Sequence, residues 1–124
     1  VQELVKSFPI QSKQIQIEEE LQKIELEITK AVPIGLIVNE ALTNSLKHAF
    51  NSSNDTPTIK IRMQLIYDRI QICILDNGIG FQEATTRKDS ALGLSLIESL
   101  CDQIDAQVVF KNESGACVSI VFPA

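Results

Sequence analysis

The chain of 124 residues has no tryptophan, one histidine and three cysteines, and each scarcity excludes a kind of site. Because His48 is the only imidazole, a multi-histidine metal centre is excluded. The cysteines are odd in number, widely spaced and set in apolar segments. This pattern indicates buried, reduced thiols instead of a disulfide framework or a zinc site. Reduced thiols at Cys73, Cys101 and Cys117 predict a cytoplasmic location.

Long hydrophobic runs are missing too, since no apolar stretch approaches the roughly 20 residues that cross a bilayer. Any membrane anchor of the full-length protein would lie outside this segment. The chain starts at Val1 and not at methionine, which favours a piece of a longer protein. Apolar residues recur at helical spacing in residues 1–8, before Pro9. We therefore expect residues 1–12 to be the remnant of a preceding helix or linker, and residues 13–124 to form one domain.

Positive charge is the third scarcity. There are 11 lysines and arginines against 16 aspartates and glutamates, which gives a net charge of −5. Such a surface repels nucleic acid, so we exclude that partner. If the protein binds phosphate, backbone N–H groups, a metal ion and a few cations must meet it locally. An apolar content of 44% is typical of a globular domain, and this length can bury a core without staples.

The hydrophobic pattern alternates between strand and helix periods. Period-two stretches or short apolar runs predict six strands, at residues 14–18, 24–28, 58–66, 70–75, 106–110 and 116–122. Helical spacing follows Pro33, placed at a first helical position, and again follows Ala91. Pairs of strands separated by single helices predict an α/β two-layer sandwich. We expect a mixed, mostly antiparallel sheet with both helices on one face.

The first predicted helix carries two stripes. Its apolar stripe, which includes Ser45, is expected to face the core. The other stripe is polar and consists of Asn39, Glu40, Thr43, Asn44, Lys47 and His48. An ordinary solvated face is the alternative, but asparagine is a weak helix former and favours a functional role. The Asn44 oxygen suits Mg²⁺, Lys47 can neutralise phosphate, and Glu40 can accept a proton or orient water.

Two glycine-containing segments complete the set of candidates. The apolar run at residues 70–75 ends at Asp76-Asn77-Gly78-Ile79-Gly80, and an acceptor-only carboxylate there suits an exocyclic amine such as that of adenine. A plain turn is the alternative, although the second glycine disfavours it. Leu92-Gly93-Leu94 is placed at the start of a helix, where free N–H groups favour phosphate. The polar segment 82–90 between them is either a lid or a mobile surface loop.

In this order the three segments resemble the ATP-binding catalytic domain of bacterial sensor histidine kinases, a Bergerat fold of the GHKL superfamily. Residues 33–50 resemble the N box of a subgroup close to the HWE kinases. Residues 76–81 are similar to the first glycine box and residues 91–97 to the second. The resemblance extends from about Ile15 to the end of the chain. Ser90-Ala91 and Ala116 depart from it, where relatives have glycine and often threonine, and Ser119 is then the only polar candidate in the last strand.

The resemblance implies ATP and Mg²⁺ as ligands. It assigns their contacts to Asn44, Lys47, His48, Asp76, Gly78, Gly80, Gly93 and Leu94. Asn44 would coordinate Mg²⁺ and Lys47 would approach the phosphates, which makes it a catalytic candidate. Asp76 would accept from the adenine amine, with Gly78 and Gly80 shaping the pocket. Gly93 and Leu94 would offer N–H groups to phosphate. Glu40 stands where hydrolysing relatives keep a catalytic glutamate.

The resemblance also implies a two-component system. The domain would position Mg-ATP for γ-phosphoryl transfer to a histidine on a separate domain, with a response regulator downstream and dimerisation only in the full-length protein. His48 lies on the site helix itself, so we expect the isolated domain to bind ATP without autophosphorylation. Three alternatives stay open: an ATP hydrolase, a serine kinase resembling anti-sigma-factor kinases, and a degenerate interaction module.

Overall fold

The computed structural model describes residues 15–49, 56–81 and 88–124. These residues form a five-stranded sheet with strand order β1-β2-β3-β5-β4. The strands are β1 (Gln16–Leu21), β2 (Thr58–Ile66), β3 (Arg69–Asp76), β4 (Gln107–Asn112) and β5 (Ala116–Pro123). Only β1 and β2 pair in parallel, and the other three pairings are antiparallel. The two helices are α1 (Ile28–Asn44), continued by a π-helical turn (Ser45–Ala49), and α2 (Lys88–Gln103).

The predicted α/β fold with a mixed, mostly antiparallel sheet is confirmed. One face of the sheet carries both helices, because alternate residues of β2, β3 and β5 form a single core with them. The core residues with almost no exposed surface include Ile37, Leu42, Ile59, Ile97, Ile120 and Phe122. The burial of these residues follows the predicted stripes. None of the described helices is long and apolar enough to cross a membrane.

The other face of the sheet carries an ion-pair cluster and several polar side chains. On β1, Glu20 accepts a hydrogen bond of 2.9 Å from Arg62 Nε and lies 3.6 Å from Lys60 Nζ. Both contacts lower the pKa of the Glu20 carboxyl, and the hydrogen bond from Arg62 has the largest effect. Ser119 lies on the same face, where its hydroxyl contacts Gln71 Nε2 at 3.3 Å and Cys73 Sγ at 3.8 Å. The contacts of Glu20 therefore help to hold the parallel edge strand β1 against β2.

The three cysteines are free and buried, as predicted. Burial, reinforced by the charges of Asp102 and Glu98, raises the pKa of the Cys101 thiol to about 11. Burial also raises the pKa of Cys117. Thiols with raised pKa values are poor nucleophiles, which agrees with a structural role.

The predicted strand at residues 24–28 is wrong. Residues 22–27 have no regular structure, and Gln22 contacts β2 through its N–H, which donates to the Met63 carbonyl, and its Oε1, which accepts from Leu65 N–H. Ile24 and Leu26 nevertheless pack against the core while Glu25 and Glu27 are exposed. The period-two pattern at residues 24–28 therefore reflects the alternate burial of side chains, and this segment does not pair as a strand.

The helix boundaries also differ from the prediction. The first helix begins at Ile28, so Pro33 is its sixth residue and not its first. The proline ring replaces one N–H near the exposed end of the helix, where the carbonyl of Thr29 can bond water. Lys30 fixes this early start, since its Nζ donates to the Pro123 carbonyl at 2.9 Å and lies 5.8 Å from the Phe122 ring centroid.

The second helix likewise begins earlier than predicted, at Lys88. Gly93 and Leu94 are then inside the helix, where their N–H groups pair with carbonyls four residues back. The predicted helix start near Ala91 is therefore wrong, while the phosphate contacts of Gly93 and Leu94 stay a prediction. The predictions for residues 1–12, and for most of the segment 82–90, fall outside the described residues.

Candidate functional site

The site forms where α1 and β3 end beside each other. The start of α1 lies at the opposite end of the sheet, next to Pro123, so its last turn reaches the end of β3 that carries Asp76. Asp76 is 7% exposed, and three donors among the described residues bond its carboxylate. Its Oδ1 accepts from Gly78 N–H at 2.9 Å and Ala116 N–H at 3.0 Å, and its Oδ2 accepts from Ser45 Oγ at 2.8 Å. Three chain segments are thus gathered around one buried carboxylate.

The turn after Asp76 is anchored on both sides. The side chain of Asn77 accepts from Thr58 N–H and donates to the Thr56 carbonyl, both at 2.8 Å, which ties the turn to the start of β2. On the other side, the Asn112 side chain accepts from Phe81 N–H at 2.7 Å. Gly80 has φ of 84° beside this side chain, and a Cβ at Gly80 would lie 2.7 Å from Asn112 Oδ1. The second glycine is therefore required by both conformation and space.

The two helices meet at Gly93. A Cβ there would lie 3.1 Å from both terminal atoms of the Asn44 side chain and 3.1 Å from Glu40 Oε2. Glycine thus allows α2 to approach the two polar side chains of α1 closely. The structure brings Glu40, Asn44 and Gly93 to one place, next to Asp76.

A small hollow lies between these segments. It is lined by Ala41, Asn44, Ser45, Ile74, Asp76, Gly80, Phe81, Ala116 and Val118. Apart from Asn44, Ser45 and Asp76, its walls are apolar or glycine, so a flat ring could pack there with its polar edge towards the carboxylate. The hollow holds about 20 Å³ of space open to the centre of a water molecule, enough for one or two waters.

Lys47, a predicted phosphate contact, and His48, a predicted nucleotide contact, both lie in the turn that follows α1. Lys47 is exposed and does not appear among the described residues that line the hollow. The spacing predicts that Lys47 continues the stripe of Glu40 and Asn44. It does not, because the α-helix stops at Asn44 and a π-helical turn follows. His48 lies in the same π-helical turn, and its side chain is outside the described part of the structure.

The donor set suits a hard divalent cation. Within the described residues there is no group of three histidine, cysteine or acidic side chains that could hold a metal unaided. Asn44 and Glu40 supply two neighbouring oxygens beside Gly93, which matches Mg²⁺ because this ion uses few protein oxygens and completes its shell with water and phosphate. The residues therefore fit a Mg²⁺–nucleotide ligand better than a protein-only metal centre.

Four residues of the site are not predicted by the sequence pattern. Ser45 was assigned to the core, and it is buried, but its hydroxyl bonds Asp76. A hydroxyl within an apolar stripe was the available signal, since buried hydroxyls need partners. Ala116 contributes its backbone N–H, Asn112 holds the turn, and Gly115 passes so close to Asp76 that a Cβ would lie 2.1 Å from the Asp76 carbonyl oxygen. No local sequence signal marks these three.

Ser119 is a correction of the opposite kind. It was the only polar candidate of the last strand for a contact with adenine. Its side chain instead lies on the face of the sheet away from the helices, with Gln71 and Cys73, while its neighbours Val118 and Ile120 face the core. The strand alternation excludes it from the hollow.

The chain belongs to the histidine kinase-like ATPase domain family, which matches residues 13–122. The serine-protein kinase RsbW of Staphylococcus aureus is a relative that is 35% identical over 100 residues, covering 68% of this chain and 60% of RsbW. This chain thus spans about 60% of that relative's length.

Among the solved structures with a similar fold are histidine kinases. The histidine kinase domain of the blue-light activated histidine kinase from Erythrobacter litoralis has a TM-score of 0.76 at 24% identity, covering 88% of this chain and 51% of that one. The Acinetobacter baumannii histidine kinase AdeS has a TM-score of 0.75 at 16% identity, covering 98% and 61%. At these identities the likeness establishes the fold.

Proposed function

We propose that this chain is the ATP-binding catalytic domain of a two-component sensor histidine kinase that acts on the cytoplasmic side. It would position Mg-ATP for transfer of the γ-phosphoryl group to a histidine on a separate domain. One observation supports this most: Asn44, Asp76 and Gly93, which are distant in sequence, surround a single hollow or touch its wall. Family membership supports the nucleotide as the ligand.

At the base end, the buried Asp76 carboxylate is an acceptor that three protein donors have already oriented. An adenine amine can donate to the lone pair that remains on Oδ2. Gly78 and Gly80 keep the turn thin enough for the ring to pack against it. The apolar walls at Ala41, Ile74 and Val118 exclude water from the ring faces.

At the phosphate end, Asn44 and Glu40 would hold Mg²⁺, which when bound neutralises charge on the phosphate oxygens. Lys47 would approach the phosphates from the exposed side, and His48 lies in the same turn. Gly93 keeps α2 close to the two oxygen ligands. For Gly93 and Leu94 to offer N–H groups to phosphate, the preceding turns of α2 must open, because these groups are inside the helix here. Most of the domain's contribution is positioning and charge neutralisation.

A serine-directed kinase is the second candidate. The 35% identity with the serine-protein kinase RsbW favours it, as does Glu40, whose carboxylate lies beside Asn44 where it could accept a proton from an incoming hydroxyl. In that case the partner would be a protein with an acceptor serine in place of a histidine domain and a response regulator.

The chemistry of the labelled product separates the two candidates. The full-length gene product would be incubated with Mg-ATP carrying a radioactive γ-phosphate, alone and with proteins of its own cell extract. Label that is lost in acid and stable in alkali would identify phosphohistidine and support the first candidate. Acid-stable label on a serine would support the second and contradict the first.

Two further results would contradict both kinase proposals. Steady phosphate release without a labelled protein, lost in Glu40→Gln, would identify a hydrolase. Absence of any nucleotide binding would indicate an interaction module. The 124-residue chain alone is expected to bind ATP without labelling itself, and label on His48 would contradict that expectation.

A further inference from the structure

Ser45 has a position that its assignment to the core does not explain. Three polar side chains are buried within the described part of the chain, those of Ser45, Asp76 and Ser119, with 6%, 7% and 7% exposure. Two of them bond each other, since Ser45 Oγ donates to Asp76 Oδ2 at 2.8 Å across 31 positions of sequence. A buried hydroxyl is a costly choice for a helix stripe unless its bond has a use.

The hydrogen bond from Ser45 acts on Oδ2, the carboxylate oxygen of Asp76 that the two backbone donors do not contact. Gly78 and Ala116 both donate to Oδ1, so together they hold one carboxylate oxygen. These two bonds restrain rotation about the Cβ–Cγ bond of Asp76 only through Oδ1, and the donor from Ser45 restrains it through Oδ2 as well. Because its proton is committed to Asp76, the Ser45 oxygen can only accept. The polar edge of the hollow therefore offers acceptors and no hydroxyl donor.

Ser45 also joins the two ends of the site. It follows Asn44 directly and begins the π-helical turn, and its backbone N–H is shared between the carbonyls of Ala41 and Leu42. Its side chain is bound to the end of β3. The end of α1 that carries Asn44 is thus attached to the carboxylate that faces the base.

We propose that Ser45 is a positioning residue for base recognition in this domain. Its hydroxyl restrains rotation of the Asp76 carboxylate about Cβ–Cγ so that the remaining acceptor site of Oδ2 faces a ring amine, which favours a 6-aminopurine over a base with an oxo group there. The proposal rests on the nucleotide ligand of the proposed function and adds the residue that sets the selectivity.

The test compares two ligands by calorimetry: Mg-ATP and the purine riboside triphosphate that lacks the 6-amino group. Ser45→Ala is expected to weaken Mg-ATP binding by about tenfold or more and to leave the analogue almost unchanged, because the less restrained carboxylate makes a poorer hydrogen bond with the 6-amino group, which the analogue lacks. Ser45→Thr retains the hydroxyl and is expected to restore the preference for Mg-ATP. Ser119→Ala is the matched control, because it removes an equally buried hydroxyl from the opposite face of the sheet.

The outcomes separate this proposal from the proposed function. If Ser45→Ala weakens both ligands equally, or neither, Ser45 is only structural and the proposal is overturned while nucleotide binding stands. If folded wild-type protein binds neither ligand, the proposed function fails first.

A measurement without nucleotide adds an independent check. The amide resonances of Gly78 and Ala116 report on the carboxylate that they bond, so Ser45→Ala is expected to shift both in NMR spectra of the free protein. Unchanged resonances in Ser45→Ala would show that the carboxylate keeps its plane without the hydroxyl, and would overturn the proposal.

Discussion

At the scale of single residues, Asp76 connects more segments than any other side chain of the site. Its donors come from the turn after β3, from the start of β5 and from the end of α1. Each of these bonds has a charged acceptor and a buried setting, which makes each stronger than an ordinary surface bond. The carboxylate is therefore part of the fold as well as part of the proposed base site.

Gly115 is the residue whose replacement should damage this arrangement most. Its φ is 139°, and a Cβ would lie 2.1 Å from the Asp76 carbonyl oxygen. Gly115→Ala therefore has to displace the start of β5 and is expected to lower the free energy of unfolding by at least about 3 kcal/mol. Denaturant unfolding measures this loss.

Gly35→Ala is the matched control for that prediction. Gly35 lies in α1, is exposed, and a Cβ there would meet no atom within 4 Å. The same substitution should stabilise the protein by about 0.5–1 kcal/mol because alanine is the better helix former. Equal midpoints for Gly115→Ala and wild-type protein would contradict the described path of β5.

At the scale of elements, the packing of α2 on α1 at Gly93 makes a prediction about binding. In Gly93→Ala the new methyl group would lie 3.1 Å from the side chains of Asn44 and Glu40, which must move. Better helix propensity offsets part of this cost, so thermal stability should change little. Affinity for Mg-ATP should fall by at least about tenfold, because the displaced oxygens are the proposed Mg²⁺ ligands. Wild-type affinity in a titration of Gly93→Ala would contradict this role.

The edge strand β1 leads to a prediction about pH. Arg62 and Lys60 hold the pKa of the Glu20 carboxyl below its ordinary value of 4.5. A group whose pKa is lowered by folding stabilises the protein above its unfolded pKa, and this stabilisation is lost as the pH falls through the folded value. Glu20→Gln should therefore be slightly less stable than wild-type protein at neutral pH, and the two should converge below pH 4.5. A gap that stays constant under acid would show that the ion pair is not the cause.

Some elements of the fold could be predicted from the sequence, and others could not. The β2–β3 hairpin, the Asp76–Gly80 turn and the two core stripes follow from signals within a few residues of one another, so they could be predicted. The π-helical turn could not, because it starts at Ser45, whose partner Asp76 lies 31 positions away. The early start of α1, where Lys30 bonds the Pro123 carbonyl, and the irregular path of residues 22–27 likewise involve tertiary contacts that propensity does not contain.

At the scale of the whole molecule, the buried cysteines report on global stability. The Cys101 thiol has 1% exposure and a pKa of about 11. In the native protein near pH 8 it should react with Ellman's reagent at least about 100-fold more slowly than a free cysteine, because the reactive thiolate is scarce. In denaturant all three thiols should react quickly. Rapid reaction of Cys101 in folded protein would contradict its position in the core.

The proposed function requires that α1, the end of β3 and α2 form one nucleotide site. Calorimetric titration of Mg-ATP into wild-type protein and Asp76→Asn tests this most directly. Asparagine keeps one oxygen for the backbone donors and replaces the acceptor that faces the base, so the variant should stay folded. We expect saturable binding by the wild type and at least about tenfold weaker binding by Asp76→Asn. Equal affinities in two folded proteins, or no binding by the wild type, would contradict the account.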